Sequence, residues 1–225
     1  MNKTPSQKKK AFLEIILFFL FMMILTAVIT FAEKFLPSTG PLIGVLFYLF
    51  PCAIILFYVS KVEKAPYSSI GLIRLRFQDI PAGLLLGFCM FVVQQIPLLI
   101  MKMDYSAYAM TPEPGYIIAT SLYCFLCVGF AEELIFRGFI LHRTLSICPS
   151  KILSVVVNIL LFYAIHWSSM QFVFGEFYNL STNVILLCFY LFRSKRKSLF
   201  PLMIAHGFYD TLTSVILPVF VYLIQ

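Results

Sequence analysis

Charged residues are scarce in this sequence. They make up 12% of its 225 residues, and hydrophobic residues make up 61%, whereas an ordinary soluble domain is about a quarter charged and about half apolar. An internal repeat, a low-complexity tract and an extended linker are also missing. The composition therefore excludes a sizeable soluble domain and indicates a protein that lies in a membrane.

A second cysteine pair and a signal-peptide cleavage site are missing as well. Cys124 and Cys127 lie inside an apolar run without another pair to complete a zinc site, so we interpret the six cysteines as packing residues. The apolar run from Ala11 to Ala32 is longer than that of a secretory signal and has no clear cleavage site. We therefore predict that this run is a retained first membrane span.

Seven apolar runs, bounded by charge, proline or glycine, predict about seven transmembrane helices within a range of six to eight. The sequence has no alternation of apolar and polar residues of the kind typical of a transmembrane β-barrel. A helix forms all of its backbone hydrogen bonds within itself, which lipid requires. We predict an all-α fold, a polytopic transmembrane helical bundle that forms one integral membrane domain over residues 1–225. Pro218 predicts a kink in the last helix or its division into two. The predicted helices are Ala11 to Ala32, Pro41 to Ser60, Ile80 to Met101, Tyr116 to Leu141, Ile152 to Trp167, Asn179 to Phe192 and Leu199 to Leu223.

The net charge of +7 comes mainly from basic residues in the connections between these helices. Such a distribution is a topology signal, so we expect no nucleic-acid partner. Lys34 and Lys102 lie in the connections on one side, and fourteen basic residues lie on the other. This asymmetry predicts an odd number of spans with the N-terminus in the cytoplasm. The fourteen are Lys3, Lys8, Lys9, Lys10, Lys61, Lys64, Arg74, Arg76, Arg143, Lys151, Arg193, Lys195, Arg196 and Lys197.

Two glutamates and an arginine lie inside the fourth predicted helix, where a charged side chain costs about 3 kcal/mol or more. Glu133 and Arg137 are four residues apart, so they share a helical face and can form an ion pair. Glu132 is rotated by about 100° from Glu133, which leaves it free for another role.

Two further predicted helices carry histidines. Phe162 and His166 share one face of the fifth helix, and His206 and Asp210 share one face of the seventh. A carboxylate and two histidines from three helices can converge in a bundle core. Glu132 could then act as a general base beside a histidine, or the same groups could hold a zinc ion that activates water. Taken singly, either histidine is equally well explained as an interhelical hydrogen-bonding residue.

Other polar residues have simpler interpretations. Glu14 has no evident partner and is predicted to be interfacial or structural, and His142 is predicted to be solvated. Gln94 either polarises a cavity or accompanies a kink at Pro97.

The predicted helix boundaries leave a mismatch in depth. Glu132 and His206 lie roughly 12 to 15 Å from the cytoplasmic ends of their helices, whereas His166 lies about 20 Å from its own. A tilt, or a later start of the fifth helix, would remove this mismatch.

Three motifs occur in order on separate helices. They are EExxxR (Glu132, Glu133, Arg137), FxxxH (Phe162, His166) and HxxxD (His206, Asp210). With the FRG continuation at 136–138 and Pro201 before the last histidine, this set resembles the CAAX-protease and bacteriocin-processing family of intramembrane proteases, relatives of the Ras-converting prenyl-protein endopeptidase. The resemblance covers about residues 129–210, and we expect a catalytic core of about residues 116–215.

The resemblance implies a water-accessible site inside a helical bundle and peptide-bond cleavage near the membrane surface. Glu132 would activate water, His166 would be its partner, and His206 with Asp210 would hold the water or stabilise the oxyanion. A divalent metal such as Zn²⁺ on Glu132, His166 and His206 and a metal-free glutamate mechanism both fit these residues. The supporting residues would be Glu133, Arg137 and Phe162.

Two residues depart from the family pattern. Asp210 stands where asparagine is the other common residue, and an ionised Asp210 would repel an oxyanion unless it were protonated or bound to a metal. Tyr163 stands where a small residue is expected, so we expect it to narrow the cavity.

Three functions follow as hypotheses. The first is an intramembrane endopeptidase acting on a small peptide or membrane-anchored protein, in a multi-pass protein of a bacterial cytoplasmic membrane. The second is a non-proteolytic membrane scaffold or bacteriocin-immunity protein that binds a partner protein, and the presence of every motif residue disfavours it. The third, a proton-coupled transporter, is disfavoured by the lack of repeated halves. The sequence leaves the oligomeric state open.

Overall fold

The computed structural model describes residues 4–35, 40–102, 104–106, 109–166 and 174–225. Within these ranges the regular structure is helical and no strand occurs, which confirms the predicted all-α fold. The predicted fifth-helix end at Trp167 and the basic residue Lys3 lie outside the described residues. The helices are α1 (Pro5–Phe35), α2 (Gly40–Phe57), α3 (Asp79–Ile100), α4 (114–147), α5 (Lys151–His166), α6 (Phe174–Arg193) and α7 (Phe200–Ile224).

Four stretches of helix are long and apolar enough to cross a membrane. They are Pro5–Ala32 in α1, Ile43–Val62 in α2 and the turn after it, all of α3, and all of α7. Helix α5 is also apolar but shorter. These features fit a helical membrane bundle, whereas the number of spans and their orientation stay predictions.

Helix α4 extends six residues beyond its predicted end at Leu141, and this extension accounts for the mismatch in depth. Residues 142–147, four of which are polar, continue the helical hydrogen bonding although they are not apolar enough to be predicted as part of a span. Glu132 therefore precedes the end of α4 at Ile147 by 15 residues, and His166 follows the start of α5 at Lys151 by 15 residues. Because a short connection joins the two helices, both side chains reach the same depth.

Two arginines of the predicted cytoplasmic connections form ion pairs with acidic residues of other segments. Arg143 at the end of α4 lies 3.3 Å from Glu14 of α1 and 2.7 Å from Glu63 after α2. Arg196 lies 2.7 Å from Asp79, the first residue of α3. These ion pairs hold together the ends of helices that are distant in sequence.

Glu14 and His142 both contact other parts of the protein. Glu14 does have partners, since the Tyr58 hydroxyl donates a hydrogen bond to it at 2.6 Å and Arg143 pairs with it. His142 is half-buried, and its Nδ1 lies 3.0 Å from the Arg137 carbonyl oxygen. These partners come from other helices or from the preceding turn. Glu14 therefore has the structural role expected of it, and His142 is only partly exposed.

Segments of π-helix interrupt α4 at Cys124–Gly129 and Glu133–Ile140, and α7 at Leu212–Ile216. Turns of this kind are frequent at functional sites. In α7 the π-helical segment comes just before Pro218. In a regular α-helix, the proline ring would clash with a backbone carbonyl of the preceding turn. Helix α7 therefore continues through the proline, and the predicted division into two helices is wrong.

Helices α4 and α7 approach until their backbones touch, and glycine makes this possible. A Cβ at Gly129 would lie 2.6 Å from the Met203 carbonyl oxygen, and a Cβ at Gly207 would lie 2.7 Å from the Phe125 Cα. Both distances are too short for a real Cβ, so the contact requires glycine at these two positions.

We expect Gly207→Ala to destabilise the protein by about 1–3 kcal/mol, because the added methyl group would force α4 and α7 apart. Thermal unfolding in detergent measures the change. Gly115→Ala is the matched control, since its Cβ would meet no atom within 4 Å. Equal unfolding temperatures for the two variants would contradict this account of the contact.

Candidate active site

A cavity of about 360 Å³ lies where α2, α4, α5, α6 and α7 meet. All four residues predicted to be catalytic line it, and they come from three different helices. The walls are polar near the acidic groups and apolar elsewhere. The lining residues are Tyr48, Val128, Glu132, Phe162, His166, Asn179, Leu180, Asn183, His206, Tyr209 and Asp210.

Glu132 stands between the two histidines. Its Oε1 lies 3.6 Å from His166 Nε2, and its Oε2 lies 3.6 Å from His206 Nε2. His206 Nε2 is also 3.6 Å from Asp210 Oδ2. The Glu132 side chain is only 8% exposed, so its interactions with these groups are stronger than they would be in water.

Contacts at Nδ1 determine how both imidazole rings are presented. His166 Nδ1 lies 2.8 Å from the Phe162 carbonyl oxygen, which can only accept a hydrogen bond. His206 Nδ1 lies 2.7 Å from Glu133 Oε1, an acceptor when ionised. Each Nδ1 therefore carries a hydrogen, and each ring turns its Nε2 towards Glu132.

The predicted ion pair between Glu133 and Arg137 is confirmed. Arg137 Nη1 lies 3.0 Å from Glu133 Oε1, and both side chains are fully buried. The same Glu133 oxygen accepts the hydrogen bond from His206. Glu133 therefore also orients a histidine of the cavity, which the sequence did not predict.

Phe162 contacts three members of the site. Its ring centroid is 4.5 Å from that of His166 and 6.4 Å from that of His206. The Arg137 guanidinium lies 5.2 Å from the same ring. Phe162 therefore packs against both histidines and against the arginine of the ion pair.

Polar residues that the motifs do not include also contribute to the cavity. Gln94 is 1% exposed, and its Nε2 donates to the Asn179 carbonyl oxygen at 2.9 Å and to Asn183 Oδ1 at 2.6 Å. The Tyr209 hydroxyl donates to Gln94 Oε1. Gln94 does not itself line the cavity, but it forms hydrogen bonds with three residues that do, and both interpretations of Gln94 stay predictions. A signal for Asn179 and Asn183 was present, since two asparagines four residues apart share a face of an apolar helix.

Tyr163 does not narrow the cavity, contrary to expectation. It packs against Phe177 with ring centroids 5.5 Å apart, and it is not among the residues that line the cavity. Its neighbour Phe162 faces the cavity, and one position along a helix turns a side chain by about 100°. Tyr163 therefore points towards α6.

A metal ion on Glu132, His166 and His206 is one of the two alternatives that the sequence leaves open. Imidazole nitrogens and carboxylates are donors that zinc accepts, and Nδ1 contacts such as those seen here accompany zinc binding by histidine. In the part of the chain that the structure describes, however, no group of three or more histidine, cysteine, aspartate or glutamate side chains is arranged to hold a metal ion. The metal stays a prediction, and the chemistry below uses none.

Comparisons with known proteins agree with the motifs. The family model described as type II CAAX prenyl endopeptidase Rce1-like matches residues 114–212. This range begins with α4, ends within α7 and contains all three motifs. No match was found among curated proteins or among solved structures. Residues 114–212 are therefore similar to the Rce1-like family of type II CAAX prenyl endopeptidases, which confirms the resemblance that the motifs predicted.

Proposed function

We propose that the protein is an intramembrane endopeptidase that hydrolyses a peptide bond with water activated by Glu132. The observation that carries this proposal is the position of the Glu132 carboxylate, 3.6 Å from Nε2 of both His166 and His206 inside a cavity. The similarity to the Rce1-like family supports a protease at the level of the family.

The reaction needs one carboxylate and one water molecule. Glu132 takes a proton from the water, and the resulting hydroxide oxygen forms a bond to the carbonyl carbon of the peptide. A histidine Nε2 lone pair can accept the second hydrogen of the water and so orient it. The carbonyl oxygen then carries the negative charge until the C–N bond breaks, and Glu132 returns its proton to the leaving nitrogen.

Glu133 and Arg137 act as positioning residues in this mechanism. Glu133 holds His206 by its Nδ1 hydrogen, so Nε2 keeps its direction during the reaction. Arg137 balances the charge of Glu133 at 3.0 Å. Without this balance, Glu132, Glu133 and Asp210 would bring three carboxylates into one buried region, and their repulsion would favour protonation of the base.

A second cavity supports a preference for an apolar residue beside the cleaved bond. It has a volume of about 180 Å³ and shares Tyr48, Glu132 and His166 with the first cavity. Its remaining walls are largely apolar. A peptide with its carbonyl carbon beside Glu132 could therefore place one apolar side chain there. The remaining lining residues are Met22, Thr26, Phe47, Ile135, Phe136 and Ile165.

The proposed substrate is a small peptide or a membrane-anchored protein. The proposed location is a bacterial cytoplasmic membrane, which the protein would cross several times. The family supports a peptide or protein substrate and a membrane context. The non-proteolytic scaffold is the alternative outcome of the first test below.

We expect Glu132→Gln to abolish peptide release, with a loss of about 10²-fold or more, because the amide cannot take a proton from water. Membranes containing the wild type, Glu132→Gln or Glu113→Gln are compared by mass spectrometry for released peptides. Glu113 lies before α4 and outside the cavity, so Glu113→Gln should behave as the wild type. If folded Glu132→Gln releases the same peptides as the wild type, the protein is not a Glu132-dependent protease and the scaffold takes its place.

We expect Arg137→Met to lower the free energy of unfolding by about 3–5 kcal/mol, because it leaves the buried Glu133 carboxylate without its ion pair. The double variant Glu133→Gln, Arg137→Met removes both charges and should recover much of that stability. It should not recover peptide release, because His206 loses its ionised acceptor. Thermal unfolding and peptide release are measured on the same preparations. Recovery of both properties would show that the positioning of His206 does not depend on the negative charge of Glu133.

Exhaustive chelation of the purified wild type tests the metal hypothesis. Cleavage that stops on chelation and returns with Zn²⁺ would assign a metal to Glu132, His166 and His206. Cleavage that continues, with no metal detected by elemental analysis, would assign water activation to Glu132 alone.

A further inference from the structure

Hydrolysis at this site leaves a negative charge on the former carbonyl oxygen, and this charge needs hydrogen-bond donors. Glu132 and Asp210 are carboxylates, which accept hydrogen bonds when ionised. The Nδ1 hydrogens of His166 and His206 are already donated to Phe162 and Glu133. A hydrogen on His206 Nε2 would face the Glu132 and Asp210 carboxylates, each 3.6 Å away, so a neutral donor on another residue would strengthen the stabilisation of the oxyanion.

The Gln94 network determines which end of the Asn183 amide is available. A backbone carbonyl can only accept a hydrogen bond, so the Gln94 atom 2.9 Å from the Asn179 carbonyl oxygen must be its NH₂ group. The same NH₂ group lies 2.6 Å from Asn183, which must therefore turn its Oδ1 towards Gln94. The Tyr209 hydroxyl donates to Gln94 Oε1 and completes the arrangement.

This orientation leaves the NH₂ group of Asn183 as the end that can serve the cavity. Asn183 is 6% exposed and lines the same cavity as Glu132 and His206. Asn183 also interacts with the Tyr209 side chain, but an amide nitrogen has two hydrogens, so such a contact occupies only one of them. The other hydrogen is a neutral donor in a buried, water-poor space.

We propose that Asn183 Nδ2 donates a hydrogen bond to the carbonyl oxygen of the peptide and stabilises the oxyanion during hydrolysis. This inference rests on the proposed endopeptidase function and adds a catalytic residue from α6 to it. It also explains how a site with a carboxylate at Asp210 can support a developing negative charge. Gln94 is then a positioning residue that acts through Asn183.

The test uses the peptide that the comparison of wild-type and Glu132→Gln membranes identifies. We expect Asn183→Ala to lower kcat by about 10²–10³-fold, the loss typical of one oxyanion donor, with little change in KM, because the hydrogen bond strengthens in the transition state. Binding of a phosphonate analogue of this peptide, which carries the negative oxygen, should weaken in parallel. Ser181→Ala on the same helix is the matched control and should retain wild-type kcat, since its hydroxyl donates to backbone carbonyls of α6.

A double-mutant cycle separates catalysis from packing. Gln94→Leu should lower kcat in the wild type but add little to the loss in Asn183→Ala, because Gln94 acts through Asn183. Asn183→Leu keeps nearly the size of the side chain but lacks the donor, so it serves if Asn183→Ala does not fold. A folded Asn183 variant with wild-type kcat and phosphonate affinity overturns the inference while the proposed function stands. A wild type that releases no peptide overturns the proposed function itself.

Discussion

The buried carboxylate of Glu133 contacts partners from two helices at once. Arg137, one turn along α4, balances its charge at 3.0 Å, and His206 of α7 donates to it at 2.7 Å. A carboxylate so deeply buried would be costly without both contacts. These two contacts of Glu133 therefore fix the position of α7 against α4. They also fix the direction of the His206 ring and the position of Asp210, one helical turn further along α7.

The close approach of the same two helices has a backbone cause. Glycines at positions 129 and 207 let α4 and α7 touch, and side chains of ordinary length then reach from one helix to the other. The π-helical segments of α4 lie on both sides of Glu132, at Cys124–Gly129 and Glu133–Ile140. The reactive carboxylate is thus carried by a helix that departs from regular geometry just where it forms the site.

Charge balance and hydrogen-bond direction together make the cavity suitable for hydrolysis. Arg137 offsets one of the three nearby carboxylates, and the two histidines face Glu132 with their Nε2 atoms. In α6, the Asn183 amide is oriented by Gln94, whose own orientation is fixed by a backbone carbonyl. The cavity is therefore lined by a base and by a neutral donor, which is the pairing that acyl chemistry requires.

Several features of this protein were determined by the sequence alone. Long apolar runs predict helices because lipid offers no partner for an open backbone, and ionisable residues in such runs mark the site because their burial is costly. The ion pair of Glu133 with Arg137 follows from helical spacing within a single helix.

Only the tertiary structure decided how the helices combine. The partner of His206 is Glu133, 73 residues away, and the partner of Asn183 is Gln94, 89 residues away. Neither pair follows from spacing, because each depends on how closely two helices approach and on how far each is rotated. Glu132 and His166 likewise lie at the same depth because residues 142–147 extend α4. The hydrophobicity of the sequence does not reveal this extension.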